Sequence, residues 1–140
     1  MKKLIALLTI AISTSVMACP KLAGQYQCYD DETGYYDMSI SQKGSGTNTV
    51  YTTTENNDMT VVMADNKWRT VQLGGKKTDV KSYCKGSYLH IDALINDPNM
   101  GAIKMFSKTT LTAYGQLATD ASIEIADQNY PAQTTSCTKL

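Results

Sequence analysis

Apolar and polar residues alternate along most of the chain, which is the period of a β-strand with one buried face. The alternation is clearest at positions 87–95, where the apolar residues of one face are Leu89, Ile91, Ala93 and Ile95. Just before this stretch, Lys85-Gly86 places a glycine where a tight hairpin turn needs a positive φ. The pattern therefore predicts a hairpin that pairs residues 78–84 with residues 87–95.

Turn-forming residues divide the rest of the chain into similar short segments. Gly, Asn, Asp, Ser and Pro recur between them, and one such turn is predicted at Thr119-Asp120. The candidate strands lie at about 22–30, 35–42, 48–54, 59–64, 67–73, 78–84, 87–95, 102–107, 110–118 and 122–126. Connections this short suit hairpins and cannot hold parallel crossovers. We expect an all-β fold, an antiparallel meander of about 8–10 strands that forms a small up-and-down β-barrel or, alternatively, a β-sandwich.

The first 18 residues form a separate unit. Two lysines at positions 2 and 3 precede an apolar run from Leu4 to Ile12, and small side chains stand at Val16 and Ala18, which is typical of a secretory signal peptide. Because roughly 20 apolar residues are needed to span a bilayer, we expect no transmembrane segment. The prediction is a removable leader at 1–18, a single domain at 19–140, and a protein exported to the periplasm or the extracellular space.

Charge narrows the range of partners. The leader holds two of the thirteen basic residues and none of the thirteen acidic ones, so residues 19–140 carry a net charge of −2. Nucleic-acid binding depends on a basic surface that displaces counterions. We therefore expect no nucleic-acid partner.

All four cysteines, Cys19, Cys28, Cys84 and Cys137, lie in the predicted domain. An even number of cysteines in an exported chain favours two disulfides. A metal site is the alternative, but zinc ligands usually come in close pairs, which the wide spacing here and the single His do not provide. Since the two ends of a meander often meet, we expect Cys137 to bond to one of the N-terminal cysteines.

Cys19 also admits a second interpretation. The residues Val16-Met17-Ala18-Cys19 resemble the lipobox of bacterial lipoproteins, in which the cysteine after the cleavage site carries a lipid. Lipidation would leave three cysteines, one of them unpaired. We therefore favour a disulfide-bonded Cys19 over an outer-membrane lipoprotein anchored through it.

The first predicted strand contains Gly24-Gln25-Tyr26, which resembles the Gly-x-Trp motif that opens the first strand of lipocalins and related calycin barrels. Tyr26 stands where those proteins have Trp. The resemblance implies a secreted, disulfide-bonded, eight-stranded up-and-down barrel with an apolar cavity. It also implies that the cavity binds small hydrophobic molecules.

Candidate catalytic residues are few. Alternation places Tyr88, His90 and Asp92 on one strand face, where Asp92 could orient His90 as a base. No Gly-x-Ser-x-Gly elbow or other activated nucleophile accompanies them in the sequence, and a solvated strand face explains the same three residues. The acidic turn Asp30-Asp31-Glu32 with Asp37 is likewise better explained as a solvated turn than as a calcium loop. We therefore expect that the protein is not an enzyme and that it binds no cofactor.

Aromatic residues are the remaining candidates for a binding role. A phenol or indole offers apolar area with a polar tip, although such residues are also common cross-strand partners. The candidate contact residues are Tyr26, Tyr51, Trp68, Tyr88, His90 and Tyr114. The function expected from these features is a monomeric binding protein for a small apolar ligand. The alternative is an interaction module of the cell envelope or extracellular space, which contacts a protein or a glycan through its surface.

Overall fold

A computed structural model describes residues 18–73, 75–132 and 134–140. The predicted leader lies outside the described residues, except for Ala18. The described chain is all-β, with one short 3-10 helix at Gly46–Asn48. The strands are β1 (Gly24–Asp30), β2 (Gly34–Lys43), β3 (Val50–Glu55), β4 (Asp58–Met63), β5 (Arg69–Leu73), β6 (Lys76–Lys85), β7 (Tyr88–Asp97), β8 (Gly101–Leu111), β9 (Gln116–Ile125), β10 (Gln128–Pro131) and β11 (Thr135–Lys139).

These strands form one antiparallel sheet in the order β4-β3-β2-β1-β11-β9-β8-β7-β6-β5, with β10 beside β9. Most strands pair with their neighbours in the chain, and the last strand returns to pair with the first. The sheet curls into a nearly closed barrel, which confirms the predicted meander and decides between barrel and sandwich. Ten strands along this described path exceed the eight that the lipocalin resemblance implies.

The hairpin predicted from the alternating pattern is confirmed. β6 and β7 pair antiparallel, with Cys84 opposite Leu89, and Gly86 in the turn has a φ of 60°. Leu89 and Ala93 are buried in the core, as their strand face requires. The residues at even positions of β7 lie on the outer surface of the barrel.

The strand predicted at 110–118 is wrong, and so is the turn predicted at Thr119-Asp120. The turn lies at residues 112–115, where the amide of Gly115 donates to the carbonyl of Thr112 at 3.0 Å and the φ of Gly115 is 75°. β9 runs through Thr119 and Asp120 without a break, because both pair with residues of β8. The strands β10 and β11 were also not predicted.

The two edge strands of the sheet, β4 and β5, do not pair with each other through a backbone ladder. The end of β4 reaches past β5 to β6: the hydroxyl of Ser82 donates to the carbonyl of Met63 at 2.7 Å, and the amide of Asn66 donates to the carbonyl of Ser82 at 2.8 Å. Asp65 and Arg69 form a two-pronged ion pair beside this contact, at 2.6 and 2.5 Å. Side chains and a short connection therefore close the wall here, in place of a full ladder.

Two disulfides cross-link the described chain, as predicted. Cys28–Cys137 joins β1 to β11, where the two residues lie directly opposite each other, and both are buried. Cys19–Cys84 joins the segment before β1 to the end of β6. The expected pairing of Cys137 with an N-terminal cysteine is confirmed. Disulfides of this kind are typical of proteins that fold in an oxidising compartment outside the cytoplasm.

Within the described residues, no helix is long and apolar enough to cross a membrane.

The ion pair at the seam predicts an acid-sensitive contribution to stability. The hydrogen bonds from Arg69 lower the pKa of Asp65 to about 2. Because an unfolded Asp has a pKa of about 3.9, this contribution is present above about pH 4 and is lost as the pH falls towards about 2. We expect Asp65→Asn to be less stable than the wild type at neutral pH, and urea unfolding should show the difference shrinking between these two pH values. A difference that stays constant down to the lower pH would contradict the assignment.

Candidate functional site

One end of the barrel is closed by the segment that precedes β1. This segment, residues 19–23, is here called the plug. Its Leu22 is buried inside the barrel, and the amide of Leu22 donates to the Gln42 side-chain oxygen at 3.0 Å. The disulfide from Cys19 to Cys84 attaches the plug to the wall. The barrel therefore has a floor made from its own N-terminal segment.

Two buried tyrosines form hydrogen bonds with the plug. The hydroxyl of Tyr26 donates to the carbonyl of Leu22 at 2.6 Å, and the hydroxyl of Tyr51 donates to the carbonyl of Pro20 at 2.7 Å. Burial raises the pKa of Tyr51 to about 12 and also raises the pKa of Tyr26, so both phenols stay protonated and remain donors. Each phenol satisfies a plug carbonyl, that of the buried Leu22 and that of the half-buried Pro20.

The opposite end of the barrel is more open. Met105 lies opposite the core residue Ala93 and so faces inward, yet it is 37% exposed. Tyr130, which pairs with the next inward residue, Ile123, is also exposed. Solvent therefore reaches the inner face of the wall at this end, whereas the plug covers the other.

Between the two ends lies a cavity of about 290 Å³. Its lining consists of Leu22, Met38, Ile40, Tyr51, Thr53, Thr60, Val62, Leu89, Ile91, Ser107, Thr109, Leu117 and Thr119. Most of these side chains are aliphatic, and the polar ones are hydroxyls. Cavities that bind small molecules have this character, an apolar lining with a few polar groups.

A second cluster lies on the outer surface of β6, β7 and β8, beside Trp68 of the segment that precedes β5. It comprises the side chains Trp68, Tyr83, Tyr88, His90 and Phe106, here called the outer aromatic face. The ring of His90 stacks on that of Tyr83 with centroids 5.0 Å apart, and it meets the ring of Tyr88 edge-on at 6.3 Å. A groove of about 270 Å³ runs beside these rings.

Two lysines on the outer aromatic face form ion pairs. Lys81 forms an ion pair with Asp92 at 3.2 Å and also lies over the ring of Trp68. Lys108 pairs with Asp120 at 3.5 Å. Desolvation lowers the pKa of His90, and so do Lys85 and Lys108, while Asp92 opposes them. The predicted row of Tyr88, His90 and Asp92 does share one face, but the Asp92 carboxylate is engaged by a lysine.

The predicted contact residues fall into three separate places. Tyr26 and Tyr51 are inside the barrel, and Tyr51 lines the cavity. Trp68, Tyr88 and His90 belong to the outer aromatic face. Tyr114 is 93% exposed at the tip of the turn between β8 and β9. The structure therefore does not bring these six residues into one site.

Sequence reasoning misses the threonines of the cavity. Thr53 is two residues from Tyr51 on the same strand, so alternation places both on one face, but a threonine gives no chemical signal of its own. Thr119 falls in the turn that was predicted wrongly. The neighbours of these residues across the lumen come from distant parts of the chain.

The acidic turn after β1 uses its first carboxylate for its own backbone. Asp30 accepts hydrogen bonds from the amides of Glu32 at 2.7 Å and Thr33 at 3.0 Å, which lowers the pKa of Asp30. Among the described residues, no group of three or more His, Cys, Asp or Glu side chains is arranged to hold a metal ion.

No protein-family model matches this chain, and no curated protein matches it either.

The two plug tyrosines predict a matched set of stability changes. Tyr26→Phe and Tyr51→Phe each remove a hydroxyl and leave a plug carbonyl without its donor, so each should lower the free energy of unfolding by about 1 to 3 kcal/mol. Tyr114→Phe, at the exposed turn, is the control and should change it by less than about 0.5 kcal/mol. Urea unfolding of the oxidised proteins measures all three. Equal effects at the three positions would show that the phenols do not hold the plug.

Proposed function

We propose that this chain is an exported carrier that binds a small apolar molecule in its lumen. The observation that supports the proposal most directly is the cavity of about 290 Å³, which is floored by the plug and lined mainly by aliphatic side chains. Ligand cavities in proteins begin at about 300 Å³, so the lumen suits an occupant at the small end of that range.

Export is part of the same proposal. The signal-like sequence of the first 18 residues and the two disulfides of the described domain both favour an oxidising compartment. Cleavage after Ala18 would leave Cys19 as the first residue, and the bond from Cys19 to Cys84 leaves it no free thiol for a lipid. These two observations favour a protein that works free of a lipid anchor.

Binding is tested with naphthalene, a neutral two-ring hydrocarbon whose fluorescence reports an apolar environment. We expect saturable binding to the wild type. Thr53→Phe fills the lumen from β3 and should weaken binding at least about tenfold, because the added ring occupies the volume that the ligand needs. Thr54→Phe places the same ring on the outer face of the same strand and should bind like the wild type.

Disulfide mapping and circular dichroism show whether both variants are folded. Thr119→Phe provides a second lumen-filling variant, from the opposite wall of the barrel. Absence of saturable binding to the wild type would overturn the carrier function. So would equal binding by Thr53→Phe and Thr54→Phe.

The outer aromatic face supports a second candidate function, the binding of a neutral glycan. Phe106 lines the groove of about 270 Å³ and is exposed. Trp68, which is 53% exposed, and Tyr88 are exposed on the same outer aromatic face. The acids and the lysine that line the groove, Asp92, Lys108 and Asp120, are each in an ion pair, so the groove itself has little net attraction for a charged partner. Aromatic rings with neighbouring hydrogen-bonding groups suit a sugar ring, which has apolar C–H faces and polar edges.

A glycan array tests this candidate. We expect the wild type to bind neutral oligosaccharides and the double variant Trp68→Ala/Phe106→Ala to lose that binding, while naphthalene binding in the lumen stays unchanged. Tyr114→Ala removes an exposed aromatic ring away from this face and is the matched control. Array binding that is absent in the wild type, or unaffected in the double variant, would exclude the outer aromatic face as a glycan site.

A further inference from the structure

The four threonines that line the lumen are arranged as two pairs. Thr53 lies directly opposite Thr60 in the ladder between β3 and β4, and both line the cavity. Thr109 lies opposite Thr119 in the ladder between β8 and β9, and their hydroxyl oxygens are 2.9 Å apart. A threonine hydroxyl has one hydrogen to donate and two lone pairs to accept. The bond between Thr109 and Thr119 uses one of those hydrogens and leaves the other for a ligand.

The two pairs face each other across the barrel. Three strands, β2, β1 and β11, separate β3 from β9 in one direction, and another three, β5, β6 and β7, separate β4 from β8 in the other. The pairs therefore belong to opposite walls. Towards the closed end, the cavity is lined by the apolar side chains of Leu22, Val62 and Leu117.

Within the part of the chain that the structure describes, no charged side chain lines the cavity beside the threonine pairs. None of the described residues that line the cavity is ionisable except Tyr51, whose phenol is engaged with the plug. The nearest acids on the same inner wall are Glu55 and Asp58, which lie opposite each other one inward pair beyond Thr53 and Thr60. A ligand carboxylate among the threonines would lose its water without gaining a cation, and it would lie near two acids.

Volume limits the size of the occupant. A water molecule takes about 30 Å³ in the liquid, so a cavity of about 290 Å³ holds roughly ten groups of that size. That corresponds to a ligand of about ten non-hydrogen atoms. Its apolar part fits the leucine-lined floor, and a polar group at its upper end reaches the threonines.

We propose that the lumen selects a neutral amphiphile of about ten non-hydrogen atoms, whose hydroxyl or carbonyl group hydrogen-bonds to a threonine of the Thr53–Thr60 pair or of the Thr109–Thr119 pair. This inference rests on the proposed carrier function and adds the chemical class of the ligand. The threonine pairs set the specificity of the site, and the aliphatic floor provides the burial of the tail.

Three ligands with the same eight-carbon chain distinguish neutral, anionic and cationic head groups. They are 1-octanol, octanoate and octylammonium, each added in competition with naphthalene at neutral pH. We expect 1-octanol to displace naphthalene at a concentration at least about tenfold lower than either charged ligand needs. If naphthalene binds and octanoate or octylammonium competes as well as 1-octanol, the inference fails while the carrier function stands. If neither naphthalene nor 1-octanol binds, both fail.

Variants of the threonines then test whether their hydroxyl groups cause the preference for 1-octanol. Thr53→Val and Thr109→Val keep the shape of the side chain and remove its hydroxyl. At least one of them, the variant at the pair that bonds the ligand, should weaken 1-octanol binding several-fold, while naphthalene, which has no polar group, binds to both as before. Thr54→Val, on the outer face of β3, is the matched control and should leave both affinities unchanged. Equal 1-octanol affinity in all three variants would show that the threonine pairs do not bind the hydroxyl group of the ligand.

Discussion

The rest of the structure depends on the pairing of the first strand with the last. β4 and β5 do not form a ladder with each other, so the meander consists of two parts, β1–β4 and β5–β11. The ladder between β1 and β11 joins these parts, and the disulfide between Cys28 and Cys137 makes that junction covalent. Without this junction the sheet would have two further open edges and no enclosed interior. The lumen is therefore a consequence of one contact between residues far apart in sequence.

The interior that this contact encloses is organised in layers. The plug forms the floor, where Tyr26 and Tyr51 use their hydroxyls for plug carbonyls and their rings for packing. Aliphatic side chains lie next to the plug, and the threonine pairs lie above them. A barrel of this width leaves space inside because small and β-branched residues occupy the middle of several strands. Because the Tyr51 hydroxyl is bonded to the plug, the hydroxyls of the four threonines and of Ser107 are the polar side-chain groups of the lining that face an occupant.

The accuracy of the sequence-based predictions follows the range of the interactions involved. The hairpin around Gly86 was predicted correctly, because alternation and a glycine with positive φ are local signals. The region after Leu111 was predicted wrongly, since Asp120 resembles a turn residue but lies on the outer face of β9, where it pairs with Lys108. Tyr51, one of the candidate contact residues, lines the cavity, whereas the threonines around it were not among the candidates. Threonine is common in strands for reasons of backbone preference, so its presence does not mark a site.

The sequence by itself determined the class of the fold, the faces of the clearest strands and the supply of cysteines for two disulfides. Each of these depends on residues close together in the chain or on a simple count. Only the tertiary structure decided that Cys28 meets Cys137, that the segment before β1 closes one end, and that threonines of β3 and β4 face those of β8 and β9. These relations arise from the register and closure of distant strands, which the free energy of the whole barrel selects and no local pattern encodes.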